Sequence, residues 1–215
     1  MPVPLKIDFV SDISCPWCVI GLRALEQAIA RLDGQVAVDL HFQPFELNPQ
    51  MPPGGQDIDE HLQQKYGSTP EQAALVRERI RAAGAALGFT FSLQTRSRIY
   101  NTFDAHRLLH WAALEGHQLA LKQALFQAYF TDGEDPSSHQ VLIRAAARVG
   151  LDATRAARIL DSNEFAAVVR KEQAFFLDQG IHAVPAVIIN NQHLIQGGQP
   201  VEVFEQALRQ IAGLA

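Results

Sequence analysis

Two cysteines, the only pair in 215 residues, stand at Cys15 and Cys18 in the run Ser14-Cys15-Pro16-Trp17-Cys18. The residues on either side constrain the fold more than anything else in the chain. Before the pair, Leu5-Lys6-Ile7-Asp8-Phe9-Val10 reads as a short buried strand. After it, Leu22, Leu25, Ile29 and Leu32 recur on one helical face, and Gly34 stops the helix. Two residues between cysteines let both thiols meet across one helical turn. A Cys-x-x-Cys at a strand-to-helix junction is the layout of a thiol–disulfide redox site.

Residue types say how the two thiols differ. Proline suits the first helical position, where it has no needed N–H to lose and its φ already fits. Pro16 there makes Cys15 the expected N-cap. Its sulfur then lies at the positive end of the helix dipole, beside N–H groups without intrahelical partners. Both features favour thiolate over thiol. Cys18 lies one turn further in and is expected to be more covered. Cys15 is thus assigned as nucleophile and Cys18 as resolving thiol, with Trp17 shaping access between them.

Hydrophobic residues make up 47% and charged residues 19% of the chain, ordinary values for a globular protein large enough for one big domain or two small ones. A net charge of −5 gives no electrostatic case for nucleic acid or an anionic membrane. No apolar run approaches a membrane span. Met1-Pro2-Val3-Pro4 leads directly into the first strand, with no basic segment and apolar stretch of a secretory signal. A cytoplasmic location is expected, where a structural disulfide is disfavoured and a paired Cys-x-x-Cys reads as catalytic.

A second strand fits Val36 to Phe45, with Val36, Val38, Leu40 and Phe42 on one face. Strand, helix and strand form a βαβ unit that places the cysteines at the carboxyl end of its first strand. Residues 48–56 are rich in Pro and Gly and read as a linker. From Asp57 to Gly180 the pattern is helical almost throughout. Ser68-Thr69-Pro70-Glu71 opens one helix, Asp152 opens another, and apolar stripes such as Leu121, Ala124, Leu125, Ala128 and Tyr129 read as helix–helix core. Strand character returns at Val184 to Asn190. A turn follows at Asn190-Asn191, then a strand at His193 to Gln196, a break at Gly197-Gly198 and a closing helix from Gln199 to Ala212. The order βαβ…ββα is that of an α/β thioredoxin fold with a large all-α insertion. The expected division is 1–47 and 181–215 for the thioredoxin-like part and 57–180 for the helical insertion.

Several segments together resemble the DsbA-like thioredoxin superfamily, and its FrnE-like branch in particular. They are Ser11 to Gly21 around the cysteines, Pro44-Phe45-Glu46-Leu47-Asn48-Pro49, Asn101 to Arg107, and Val184-Pro185. The resemblance implies a thiol–disulfide oxidoreductase or disulfide isomerase working on thiol- or disulfide-containing proteins or on glutathione, with no bound cofactor. It also implies a cis bond before Pro185, turning the backbone groups of Val184 toward the cysteines and an incoming extended peptide.

Other residues carry two readings each. His106 and Arg107 either line a substrate cleft or form a satisfied polar edge of a helix. Asn48 either bonds a thiol ligand or is a turn residue before Pro49. Gly198 and Gln199 either hold the γ-glutamyl end of glutathione, or end the strand and cap the next helix. Asp12 either influences proton transfer near the sulfurs or is a loop-solvated carboxylate, and the second reading is preferred. His106 and His110 stand at i, i+4, so a Cys₂His₂ zinc site is formally possible. The separation of the pairs far exceeds a zinc-finger loop, and no metal is expected.

Two rivals remain. Glutathione-dependent isomerases and transferases of the 2-hydroxychromene-2-carboxylate isomerase and kappa type share the fold and insertion. They typically carry Ser in place of Cys15 and lack the second cysteine, so the intact pair argues against them. A non-catalytic chaperone-like binding module is the other. Oligomeric state, monomer or homodimer, is left open.

Overall fold

A computed structural model describes residues 1–92 and 97–214; the helical reading of residues 93–96 lies outside them. Strand β1 (Val3–Ser11) leads to helix α1 (Pro16–Arg31) and to β2 (Val36–Pro44), which lies parallel to β1. Late in the chain, β5 (Ala186–Ile189) and β6 (His193–Gln196) complete a four-stranded sheet in the order β2-β1-β5-β6. β1 is central. Its Phe9 stands opposite Phe42 on one side and Val187 on the other, which explains why Leu5, Ile7, Phe9 and Val10 are all but fully buried. Helix α9 (Val201–Ile211) closes the chain against α1. This is the thioredoxin-like α/β arrangement expected from the sequence.

The β5–β6 hairpin turns through Asn190 and Asn191, both at positive φ (52° and 56°). That is the backbone of a type I′ turn, closed by the Gln192 N–H to the Ile189 carbonyl at 3.1 Å within a three-residue connection, and asparagine tolerates it better than other non-glycine residues. Asn190 also accepts from the Lys6 N–H at 3.0 Å, tying the turn to β1.

Among the described residues, seven α-helices lie between β2 and β5: α2 (Ile58–Tyr66), α3 (Pro70–Ala86), α4 (Phe103–Leu114), α5 (Gln118–Phe126), α6 (His139–Arg148), α7 (Ala153–Leu160) and α8 (Ala166–Asp178). Local chemistry starts two of them where the sequence indicates. Thr69 and Gln72 form a reciprocal capping box on α3, and the Asp152 carboxylate caps α7. The stretch is not wholly helical. Gln56–Asp57 (β3) and Arg98–Ile99 (β4) form a two-residue antiparallel bridge, and α5 runs into a π turn at Gln127–Thr131 that buries Ala128, Tyr129 and Phe130 in succession. At the other end, α8 starts after Phe165 at φ 62°, and α9 is capped by Pro200 rather than Gln199.

One apolar core runs without a break from the sheet and α1 (Ile7, Phe9, Leu22, Leu25) into the helices (Leu108, Leu121, Leu125, Tyr129). A smaller cluster of Val10, Phe45, Phe176, Ile181 and Ala186 covers the opposite face of β1 beneath α8. The first helix therefore has its leading end wedged between sheet and helical layers, where the cysteines lie.

Candidate active site

Cys15 is the N-cap of α1, in extended conformation (φ −93°, ψ 111°), and Pro16 occupies the first helical turn. The Cys15 N–H donates to the Asp12 carbonyl at 3.3 Å, and the Cys18 N–H donates to the Cys15 carbonyl at 3.1 Å. Both thiols are free. Cys15 retains 4% exposure and Cys18 none, so only the first sulfur has an outlet to solvent.

Opposite Cys15 lies the loop entering β5. The Val184–Pro185 bond is cis, and the Cys15 thiol donates to the Val184 carbonyl at 3.6 Å, within range for sulfur. Pro185 is seated by two glycines. A Cβ at Gly21 would stand 3.1 Å from Pro185 Cγ and 3.4 Å from Gly198 Cα; one at Gly198 would stand 2.9 Å from the Trp17 carbonyl oxygen. The Gly197 N–H donates to the Pro185 carbonyl at 2.8 Å. Gly198 is thus a close-approach residue that locks the proline loop onto the first turn of α1, while the Gln199 amide turns back to the Gln196 carbonyl at 2.8 Å. Both residues lie between the end of β6 at Gln196 and the cap of α9, which falls at Pro200.

Asp12 differs most from its reading as a solvated loop carboxylate: it is fully buried. It accepts from the Ser14 N–H and hydroxyl (3.2 and 2.8 Å), the Leu47 N–H (2.7 Å) and the Thr102 hydroxyl (2.7 Å). His106 Nε2 stands 3.5 Å from Asp12 Oδ1, an ion-pair distance too long for a formed hydrogen bond, and has no hydrogen-bond partner. Burial alone would raise the Asp12 carboxyl. The His106 imidazole, the Leu47 amide and the Thr102 hydroxyl outweigh it and hold the group down at about 2. Asp12 is therefore a permanent anion that fastens the cysteine turn to the end of β2 and the start of α4.

A second buried charge has no counterpart in the sequence reading. Lys122 of α5 is fully buried, its ammonium 5.7 Å from the Phe42 ring centre and 5.1 Å from that of Phe126. Burial pushes it down to about 8, against the upward pull of charge at Cys18, Asp12 and Cys15. Cys18 is pushed up by burial and by its bond with and charge on Cys15, while Lys122 draws it back down.

The remaining candidates divide. His106 does face the Asp12 side of the site. Arg107 does not line a cleft: it is buried, donating to the carbonyls of Glu164 (2.9 Å), Ser162 (2.5 Å) and Ile159 and to the Asp104 carboxylate (2.7 Å). It clamps α4 to the α7–α8 connection. Asn48 Oδ1 accepts from the Lys65 ammonium at 2.7 Å, and Lys65 also donates to the Leu47 carbonyl at 2.8 Å. Asn48 thus serves to order the segment that carries Leu47 to Asp12. His110 pairs with Glu172 at 3.3 Å and packs on Phe165. Among the described residues no three His, Cys, Asp or Glu side chains gather as a metal would need.

A thioredoxin-like sheet, a pair of thiols at the first helix's start and a facing X–Pro loop define the class: thioredoxin-fold proteins of the oxidoreductase and isomerase type. The chain belongs to the DsbA-like thioredoxin domain family, whose profile matches residues 6–209. It is similar to a probable DsbA oxidoreductase of Streptomyces coelicolor, with 33% identity, a TM-score of 0.88, and coverage of 97% of this chain and 90% of that one. It is also 27% identical over 211 residues to the uncharacterized protein YwbO of Bacillus subtilis, covering 97% of this chain and 96% of the other. The cytosolic disulfide reductase DsbM of Pseudomonas aeruginosa, solved with GSH, shares the fold at 17% identity and a TM-score of 0.68, covering 97% of this chain and all of that one (100%).

Proposed function

We propose that the protein catalyses thiol–disulfide exchange through Cys15 and Cys18. The observation that carries this reading is the asymmetry of the pair. Cys15 keeps a narrow outlet beside the Val184 carbonyl, while Cys18 is sealed behind it. Cys15, as thiolate, attacks one sulfur of a substrate disulfide. A Cys15–substrate bond forms, and the other substrate sulfur leaves with the electron pair. Cys18 then attacks Cys15, releasing the second substrate sulfur and leaving a Cys15–Cys18 disulfide. An isomerase cycle ends instead by attack of a substrate thiol on the mixed disulfide.

The backbone of Val184 offers an extended peptide a carbonyl and an N–H beside the reacting sulfur. Thiol proteins and glutathione are the proposed partners, and no cofactor is required by the steps above. A cytoplasmic setting would keep the pair reduced and favour reductase or isomerase work over net oxidation.

Insulin reduction and the refolding of scrambled ribonuclease test the assignment. Cys15→Ser is expected to abolish both. Activity retained in that variant would refute it.

A further inference from the structure

A resolving thiol must lose its proton to attack, and Cys18 is buried where burial favours the protonated form. Some group must take that proton. The buried carboxylate of the cysteine turn, Asp12, is unsuited: its oxygens already accept four hydrogen bonds, and it stays ionised far below neutral pH. An acceptor with so low an affinity for protons takes none from a thiol.

Lys122 is suited. It is fully buried, caged by the Phe42 and Phe126 rings, and its charge is felt at Cys18. It also has a way out that avoids the substrate. A cavity of about 150 Å³ between β2, α4, α5 and α8 is lined by Lys122, His106, His110, Gln43 and Glu172, and reaches exposed Leu114. His106 adds a buried, unpartnered ring nitrogen on the same route. The charged and titratable groups around Lys122 are Asp12, Cys15 and Cys18 on the cysteine turn, His41 on β2, His106 and His110 on α4, and Glu172 on α8.

We propose that Lys122, and not Asp12, is the proton-exchanging residue of the resolving step, and that the cavity behind it returns the proton to solvent on the side away from substrate. The step rests on the thiol-exchange reading above. In it, the neutral Lys122 amine accepts the Cys18 proton and becomes ammonium. The Cys18 electron pair forms the bond to Cys15, and the substrate sulfur departs with the electrons of the broken bond. A buried amine that titrates at about 8 is neutral in roughly a tenth of molecules at pH 7, enough to carry the step. An arginine could not, because it holds its proton throughout this range.

The test is stopped-flow absorbance of the reduced protein with 5,5′-dithiobis(2-nitrobenzoate) from pH 6 to 10. Each exchange releases one coloured thiolate, so Cys15 attack gives the first phase and Cys18 resolution the second. The wild-type second phase is expected to rise with pH and inflect near 8. Lys122→Met should slow it at least tenfold at pH 7 and erase the inflection. Lys122→Arg, which keeps the charge but exchanges no proton, should not rescue it. Asp12→Asn should keep the inflection, moved to lower pH because an anion that favours the ammonium is gone. In the wild type itself, the Lys122 ¹³Cε resonance of the reduced protein should titrate near pH 8, a measurement that does not depend on any variant folding. The proposal is overturned if Lys122→Met resolves within threefold of wild type, if Lys122→Arg restores the rate, or if the Lys122 resonance stays protonated beyond pH 10. Absence of any first phase in the wild type would instead overturn the thiol-exchange reading on which the proposal rests.

Discussion

The Thr102 hydroxyl donates to the Asp12 carboxylate at 2.7 Å, joining the start of α4 to the cysteine turn across 90 residues of chain. The Leu47 N–H reaches the same carboxylate at 2.7 Å from the end of β2. One buried anion thus sets the position of Ser14 and Cys15 relative to both neighbouring layers. Asp12→Ala would leave the Thr102 and Ser14 hydroxyls and the Leu47 N–H with no acceptor, and should cost about 3 kcal/mol of stability, read from urea unfolding.

The same residue makes stability depend on acid. Its carboxyl falls from the ordinary 3.8 to about 2 on folding. A group with a depressed folded value contributes stability that is fully present above its unfolded value. That contribution is lost as pH drops through the folded one. Asp12 should therefore contribute about 2 kcal/mol at neutral pH, lost between about pH 4 and pH 2. Urea midpoints of wild type and Asp12→Asn should converge across that window; parallel curves would contradict the assignment.

Gly198→Ala should loosen the proline loop. Its Cβ would meet the Trp17 carbonyl oxygen at 2.9 Å, a backbone atom that cannot rotate away. The first turn of α1 or the loop must shift, at a cost of about 1–3 kcal/mol. Insulin reduction per folded molecule should fall with it, because the shift moves Val184 relative to Cys15. An alanine variant with unchanged unfolding midpoint and unchanged activity would contradict this packing.

Arg107 separates structure from chemistry. Arg107→Met removes donors to three carbonyls and Asp104 in a buried site, and should destabilise by about 3–5 kcal/mol. Its disulfide-exchange rate per folded molecule, measured at a temperature where the variant is native, should stay within about twofold of wild type, since none of these bonds reaches the cysteines.

The elements that the sequence reveals are those fixed by neighbours a few residues away. Pro16 after Cys15, the helix start at Thr69-Pro70, the Asp152 cap and the Asn190-Asn191 turn each carry their own local reason, and the structure has each at the expected position. The features that escape are fixed by distant partners. Asp12 looks solvated because its acceptor role depends on Leu47 and Thr102, 35 and 90 positions away. Lys122 stands beside the stripe of Leu121 and Leu125, and its burial depends on the Phe42 ring, 80 positions earlier in the chain, as well as on Phe126 one turn further along α5. Arg107 fits a cleft as readily as a helix edge in the sequence, because its carbonyl partners Ile159, Ser162 and Glu164 lie more than 50 positions away. Followed by Gln123 and set off the positions of Leu121, Ala124 and Leu125, Lys122 fits an ordinary solvated helix face, and no local signal singles it out.

The division of labour between the two sulfurs is tested most directly by mass spectrometry of single-cysteine variants mixed with oxidised glutathione. Cys18→Ala should take up one glutathione per chain, on Cys15, and hold it, because the thiol that would displace it is gone. Cys15→Ala should take up none on the same timescale, since Cys18 has no exposure. Equal or faster labelling of Cys18 in the Cys15→Ala variant would contradict the assignment of attacking and resolving thiols.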